Sequence, residues 1–433
     1  MSVLIMGTGY VGITTAITFA ELGIPATGFD SDAAKIARLS EGHLPIYEPG
    51  MSALLAKHLK SGQLRFSNDA ASAIGEHRIV ILCVGTPSNS DGSANLNALR
   101  QASEWIGEHL REGTTIVVKS TVPVGAHAQV REWIRAKRRS PARFDVVANP
   151  EFLREGSALA DAMAPDRIVV GSDDPEAAKR VLALYDAIDC PKIVTTPEAA
   201  VLIKYASNAY LATKISFVNE LARLCEALGI DVSEVAEGMG GDPRIGAQFL
   251  RAGIGYGGSC FPKDVDALLH TAAANGRRLT IIQQAANVNR AQPLHLLEQW
   301  ERRMPASFAG ATVAVLGLAF KPDTDDLREA PSLVLLSELH DKRASVRVHD
   351  PVAVLPPHFR ALGMTQCDSV EEALEGADAV VLCTEWPVYR KADWRALKSR
   401  MRGRFVFDGR NALDAAGLAA MGFEYSGVGR GRT

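Results

Sequence analysis

Val3-Leu4-Ile5-Met6-Gly7-Thr8-Gly9-Tyr10-Val11-Gly12 opens the chain and decides its fold. Four apolar residues are too few for a helix and suit a buried strand. Three glycines at Gly-x-Gly-x-x-Gly spacing follow, and Ile13 to Leu22 then reads as a helix. Strand, glycine turn and helix in that order are the context in which this spacing means a dinucleotide site. The first glycine permits a tight turn, the second lets a pyrophosphate reach the backbone, and the third lets helix and strand pack closely. The helix N-terminus attracts the phosphates. A second strand, Ala26 to Phe29, ends at Asp30, within reach of an adenosine ribose. A carboxylate there accepts bonds from both ribose hydroxyls and repels a 2′-phosphate, which favours NAD over NADP. Lys35 is either a further contact to ribose or phosphate or a solvated lysine.

Working outward, strands are expected at Arg78 to Val84, Thr115 to Lys119, Phe144 to Ala148 and Ile168 to Val170, with helical stretches between most of them. That alternation indicates a mostly parallel sheet with helices on both faces. Thr196-Pro197-Glu198 is a helix start: a capping hydroxyl, proline at the first position, an acid in the first turn. No Gly or Pro follows until beyond Leu228, and apolar residues recur at helical spacing, so one long helix is expected. It can serve as a spine between domains and as a dimer surface. Met304 to Gly310 reads as a linker. The opening pattern then returns: Thr312 to Gly317 repeats the first strand and its glycine, Val346 to Asp350 the second strand and its acid, and Ala379 to Thr384 repeats Ile79 to Val84 down to the cysteine. Leu318, Ala319 and Phe320 follow Gly317, so this copy lacks the phosphate-binding glycines. The fold class is therefore α/β: two doubly wound Rossmann-like domains, 1–195 and 305–433, joined by the long central helix and a small helical domain, 196–304. Gly427 to Thr433 reads as a loose polar tail.

The 433 residues allow two or three domains. A net charge of −3 gives no reason to expect nucleic acid, and the basic run Arg131 to Arg143 reads as a solvated helix end. Six cysteines without a Cys-x-x-Cys pair favour free thiols in a reducing compartment. Ten histidines show no metal-ligand spacing, so no metal is expected. Residues 1–6 already read as a strand, and no apolar run is long enough for a bilayer, which points to a cytoplasmic protein without a membrane partner.

The chemistry is carried by Gly255-Tyr-Gly-Gly-Ser-Cys-Phe-Pro-Lys-Asp264. Small residues strip bulk from one side of Cys260. On the other side Pro262, Lys263 and Asp264 read as the first turn of a helix. A thiol just before a helix start feels the positive end of the helix dipole, and a nearby lysine adds to that; both favour the thiolate. Most free cysteines are small buried hydrophobes, which is how Cys83 and Cys383 read in their apolar strands. At Cys260 the glycines and charges argue for a nucleophile.

Six segments together resemble the UDP-glucose/GDP-mannose dehydrogenase family: GTGYVG (7–12), VGTP (84–87), STVPVG (120–125), NPEFLREG (149–156), GYGGSCFPKD (255–264) and GLAFKPDTDDLREAPS (317–332). The resemblance covers essentially the whole chain. It implies oxidation of the C6 hydroxyl of a nucleotide sugar to a carboxylate, in two steps with two NAD per turnover. A cysteine thiolate holds the intermediate aldehyde as a thiohemiacetal and then a thioester, which water hydrolyses. The resemblance assigns Cys260 as nucleophile and Lys204, with Asn208, as oxyanion stabilisers on one helix face. It makes Asp264 an acid that orients water or shuttles protons, Glu151 the general base and Thr121 a water-positioning group. Implied cofactor contacts are Gly7, Gly9, Tyr10, Val11, Gly12, Asp30, Lys35, Val84, Gly85, Thr86, Pro87, Ser120, Thr121, Glu155, Lys263 and Arg328. Implied substrate contacts are Glu151, Phe152, Leu153, Arg154, Glu155, Lys204, Asn208, Arg251, Tyr256, Gly257, Phe320, Lys321 and Arg410. Arg244 matches an arginine that reaches the partner subunit's nucleotide, which implies a homodimer; read alone it is an exposed arginine in a turn. Read alone, Lys204 is equally a solvated edge residue or a site residue, and Glu151 and Glu155 read as solvated loop residues. The form of the Cys260 and Glu151 segments is most like members acting on UDP-glucose. The alternatives are GDP-mannose or a UDP-N-acetylhexosamine as substrate, a two-electron hydroxyacid dehydrogenase, which has no use for Cys260, and a non-catalytic nucleotide-sugar sensor.

Overall fold

The computed structural model describes residues 1–304 and 307–430. Residues 305 and 306 of the expected linker and the last three residues of the expected tail lie outside the described residues. The chain forms two compact units: residues 1–207 with 266–277, and residues 208–265 with 278–433.

The first unit is built on eight strands: β1 (Val3–Met6), β2 (Ala26–Phe29), β3 (Leu64–Ser67), β4 (Ile79–Leu82), β5 (Thr114–Val118), β6 (Phe144–Ala148), β7 (Ile168–Gly171) and β8 (Lys192–Thr195). Their order is β3-β2-β1-β4-β5-β6-β7-β8. Val3 pairs in parallel with Ala26 on one side and Ile79 on the other, so β1 is central. Pairing is parallel throughout except at β6–β7, which meet antiparallel through Ala148 and Gly171. β1, β2, β4 and β5 are buried along their whole lengths, as strands covered by helices on both faces must be. The order reverses beside β1, and the carboxyl ends of strands at such a reversal form the crevice where ligands bind.

The second unit repeats the design. Its strands are β9 (Thr312–Leu316), β10 (Ser345–His349), β11 (Thr365–Gln366), β12 (Ala379–Leu382), β13 (Phe405–Asp408) and β14 (Glu424–Gly427), in the all-parallel order β11-β10-β9-β12-β13-β14. The acid after the second strand does similar work in both copies. Asp30 accepts the Thr8 amide at 3.0 Å, and Asp350 accepts the Leu318 and Ala319 amides at 2.7 and 3.1 Å. Beyond the first glycine the copies diverge. A helix starts at Tyr10 in the first, whereas in the second no helix starts before Pro331. Trp386 directs its indole N–H onto Asp350 at 3.3 Å, and the Thr384 side chain stands where a Cβ on Gly317 would fall. The second copy thus offers no helix start directly behind its first glycine, which is where the first copy would hold phosphates.

The long helix runs Pro197–Leu228. Thr196 Oγ1 accepts the Ala199 amide at 3.2 Å, which caps its start. Gly229, at φ 71°, stops it, and the Ile230 amide returns to the Cys225 carbonyl at 2.9 Å. That return bond satisfies a carbonyl the helix end would otherwise leave open.

Candidate active site

The glycine loop of the first unit is shaped by close approach. A Cβ on Gly12 would lie 1.8 Å from the Gly7 carbonyl oxygen, and one on Gly7 would lie 2.8 Å from that of Cys83. A Cβ on Gly9 would meet nothing within 4 Å, which is open ground for a ligand at the start of the helix Tyr10–Glu21. No side chain caps that helix start, so its first amides suit a pyrophosphate. Asp30 Oδ2 accepts the Thr8 amide, the Thr8 hydroxyl and, at 2.8 Å, the Lys35 ammonium. Burial raises the Asp30 pKa, but the Lys35, Thr8 and Asp32 donors outweigh it and hold it below the usual carboxylate range. An ionised acid is what ribose hydroxyls need, so these residues fit a dinucleotide. Lys35 bonds Asp30 itself. Val84 to Pro87 and Ser120 to Thr121 are stitched together: Ser120 Oγ donates to the Val84 carbonyl and Thr86 Oγ1 to that of Thr121, each at 2.7 Å.

Glu151 and Glu155 are 6% and 8% exposed, so neither is a solvated loop residue. Glu151 Oε1 accepts the Lys204 ammonium at 3.0 Å, and its Oε2 accepts the Leu153 amide at 2.5 Å. Burial opposes Glu151 ionisation. The Lys204 charge, the Leu153 amide and the more distant Lys119 charge outweigh it and hold its pKa below the usual range. Lys204, 3% exposed, is no edge residue, and its ammonium lies 5.6 Å from the centre of the Phe152 ring. Arg154 is exposed and held by Asp161. Two groups sequence reasoning passes over complete this region. Lys119 donates to Asn149 and Tyr185, and Glu48, 5% exposed, accepts amides from the Glu151–Ala158 segment.

In the second unit, Cys260 is half-buried, and its carbonyl accepts the Asp264 amide at 2.9 Å. It therefore caps the fourteen-residue helix Phe261–Ala274, as the sequence implies. Its Sγ lies 3.6 Å from Ser259 Oγ. Asp264, 1% exposed, joins two expected residues: its Oδ2 accepts from Asn208 at 2.6 Å and its Oδ1 from Lys263 at 2.7 Å. The buried cysteines behave differently. Burial pushes the Cys83 and Cys383 thiols up to about 12, so both stay protonated, consistent with core residues.

The loop before Cys260 is held at nearly every residue. The Gly253 amide donates to Asn219, and the Gly253 carbonyl accepts from Gln292. Asn289 pairs with both main-chain groups of Tyr256, at 2.8 and 3.0 Å. The Gly258 amide donates to the Arg328 carbonyl. A Cβ on Gly257 would lie 2.2 Å from the Glu329 carbonyl oxygen, and one on Gly258 would lie 2.7 Å from the Phe320 ring. The small residues beside Cys260 thus admit neighbouring chain. Arg410 donates to the carbonyls of Cys383, Gly255 and Phe320 at 2.7 to 3.0 Å, so it clamps this loop to the second sheet. Lys321 lies 5.4 Å from the Phe320 ring centre, and Arg251 is exposed. Arg244 and Arg328 are exposed and sit on Asp242 and Asp326, two residues before each. Asn219, Asn289 and Gln292 carry no motif, and only their packing reveals them. No group of His, Cys, Asp and Glu that could hold a metal occurs among the described residues.

Three family models match the chain in order. Residues 1–189 match the NAD binding domain of the UDP-glucose/GDP-mannose dehydrogenase family, 198–291 its central domain and 314–415 its UDP binding domain. The glycine loop falls in the first of these, and the cofactor is NAD. The UDP-glucose 6-dehydrogenase YwqF of Bacillus subtilis is 41% identical over 431 residues, covering 99% of this chain and 98% of its own. A UDP-glucose 6-dehydrogenase of Pseudomonas aeruginosa is 43% identical over 449 residues, covering 100% and 98%. Among solved structures, a UDP-glucose dehydrogenase from Pyrobaculum islandicum matches with a TM-score of 0.91 at 39% identity, over 99% of this chain and 97% of that one. A UDP-D-ManNAc dehydrogenase from Pyrococcus horikoshii matches with a TM-score of 0.89 at 28% identity, over the whole of both chains.

Proposed function

The chain belongs to the UDP-glucose/GDP-mannose dehydrogenase family, and we propose from that premise that it oxidises C6 of UDP-glucose to the carboxylate of UDP-glucuronate. NAD, which Gly7, Gly9, Gly12 and Asp30 would hold, would supply the hydride acceptor for both oxidations. The chain's own residues do the rest. The Cys260 thiolate adds to the C6 aldehyde and forms a thiohemiacetal, whose oxidation leaves a thioester. Water cleaves the C–S bond of the thioester and returns the thiol. Lys204 and Asn208, one turn apart on one helix, stabilise the C6 oxyanions. Glu151 and Asp264, with Thr121, orient the water and take its protons. The observation that best supports this reading is that the four ionic or polar candidates form two buried pairs, Lys204 with Glu151 and Asn208 with Asp264.

The remaining cofactor and substrate contacts implied by the resemblance, and the three-part division at 195 and 304, belong to the same proposal. So do cytoplasmic residence, a product destined for glucuronate-containing polysaccharide, and a homodimer in which Arg244 reaches the neighbouring nucleotide. No helix among the described residues is long and apolar enough to cross a membrane.

The test is stoichiometry. UDP-glucose should yield two NADH per molecule consumed, and Cys260→Ala should abolish formation of the acid. One NADH per substrate, or full turnover by the alanine variant, would sink the four-electron mechanism. Turnover confined to a UDP-N-acetylhexosamine or GDP-mannose would change the substrate alone.

A further inference from the structure

Glu48 is a buried carboxylate outside every motif of the expected site. Its Oε2 accepts the Tyr10 hydroxyl and, at 2.7 Å, the Gly156 amide; its Oε1 accepts the Ala158 amide at 2.8 Å. The Gly156 amide also lies 2.9 Å from the Tyr10 oxygen. Tyr10 is the first residue of the helix that follows the glycine loop, and Gly156 and Ala158 close the segment carrying Glu151 and Glu155. Glu48 stands 38 residues from Tyr10 and 108 and 110 from the two amides. One carboxylate therefore ties the cofactor loop to the segment that carries two expected site acids. Burial, then the Glu48 bond, raises the Tyr10 pKa, so the phenol remains a donor at neutral pH.

A carboxylate leaves water only against a penalty, and a neutral side chain would fill the same space more cheaply. What a carboxylate alone offers is acceptors on both oxygens. Glutamine offers them on one, and its NH2 group would face a donor. We propose that Glu48 is a positioning residue of this enzyme: it holds segment 151–158 in register with the glycine loop, so that bound NAD and the acids Glu151 and Glu155 stand in a fixed relation. This rests on the NAD-dependent oxidation proposed above.

The experiment compares the full-length chain with Glu48→Gln. The variant should bind NAD as the wild type does and keep its thermal midpoint within a few degrees, while kcat falls about 10- to 100-fold, the scale on which an ångström of misplacement acts. Hydrogen exchange without any sugar gives an independent readout. In the wild type, NAD should slow exchange at the Gly156 and Ala158 amides; in the variant those amides should exchange faster, and NAD should no longer slow them. Wild-type kcat, or wild-type exchange at both amides with and without NAD, would overturn the proposal. So would a lowered midpoint with kcat per folded molecule unchanged, which marks a structural role only. If the wild type does not turn over UDP-glucose, the function proposal falls, and the exchange data still decide the role of Glu48. If the glutamine variant does not fold, Glu48→Asp keeps the charge on a side chain one methylene shorter and should show an intermediate loss of kcat; wild-type kcat there would also overturn the proposal.

Discussion

Glu151 and Lys204 form an ion pair with side chains 5% and 3% exposed. Removing one partner of such a pair strands the other's charge in a dry place, whereas replacing both with apolar groups often does little harm. Glu151→Gln should therefore lower unfolding stability by roughly 3 kcal/mol, measured by urea denaturation. Glu151→Leu combined with Lys204→Met should recover most of that stability and none of the activity. Equal stability of wild type and Glu151→Gln would mean the pair contributes no net charge stabilisation. The same residues show where sequence reading ends. Cys260 and the three glycines announce themselves because their chemistry depends on immediate neighbours, and the structure keeps those neighbours in place. Glu48, Asn219 and Asn289 act through partners 33 to 110 residues away, and no local pattern encodes such a meeting.

At the scale of elements, the long helix was legible from end to end because its cap, its proline and its stopping glycine are all local signals. Its surface was less so. Apolar spacing shows the helix, and a dimer surface is expected on it, but the spacing does not say which residues face out; Leu202, Tyr210, Phe217, Leu224 and Leu228 are 46% to 62% exposed and recur every four to eight residues. A row of that kind suits a second copy of the chain. If the chain forms the homodimer proposed above through this row, Tyr210→Glu with Phe217→Glu should give monomers in analytical ultracentrifugation, and Arg244→Ala should weaken UDP-glucose binding while sparing NAD. A double variant that sediments as the wild type does would rule out this row as a dimer interface. The strands beyond expectation are β3, β8, β11, β13 and β14. All but β13 are sheet edges, where one side of the strand is unpaired and the apolar signal thins. β11 has two residues, and β8 is mostly exposed. Only β13, a buried Phe-Val-Phe run, carried a signal that periodicity could read.

For the whole molecule, two sheets of one design have separate duties. The first keeps an open glycine loop with a helix start behind it, while the second has Leu318, Ala319 and Phe320 after its glycine and no helix before Pro331. Titration should therefore find one NAD site per chain; a second site of similar affinity would contradict the reading of the second repeat. The repeat was legible because strand, glycine and acid recur together. The bond from Trp386 to Asp350 was not, because the two residues are 36 apart. The two compact units also interleave along the chain. The backbone passes between them after Ser207, after Val265 and after Arg277, and the first two passages lie inside helices. This bears on how such a gene can be shuffled. A single crossover between two relatives cannot exchange one whole unit for another, because each is encoded in two stretches of message. Chimaeras that trade sugar preference would need paired exchanges, and inheritance would tend to carry both halves together.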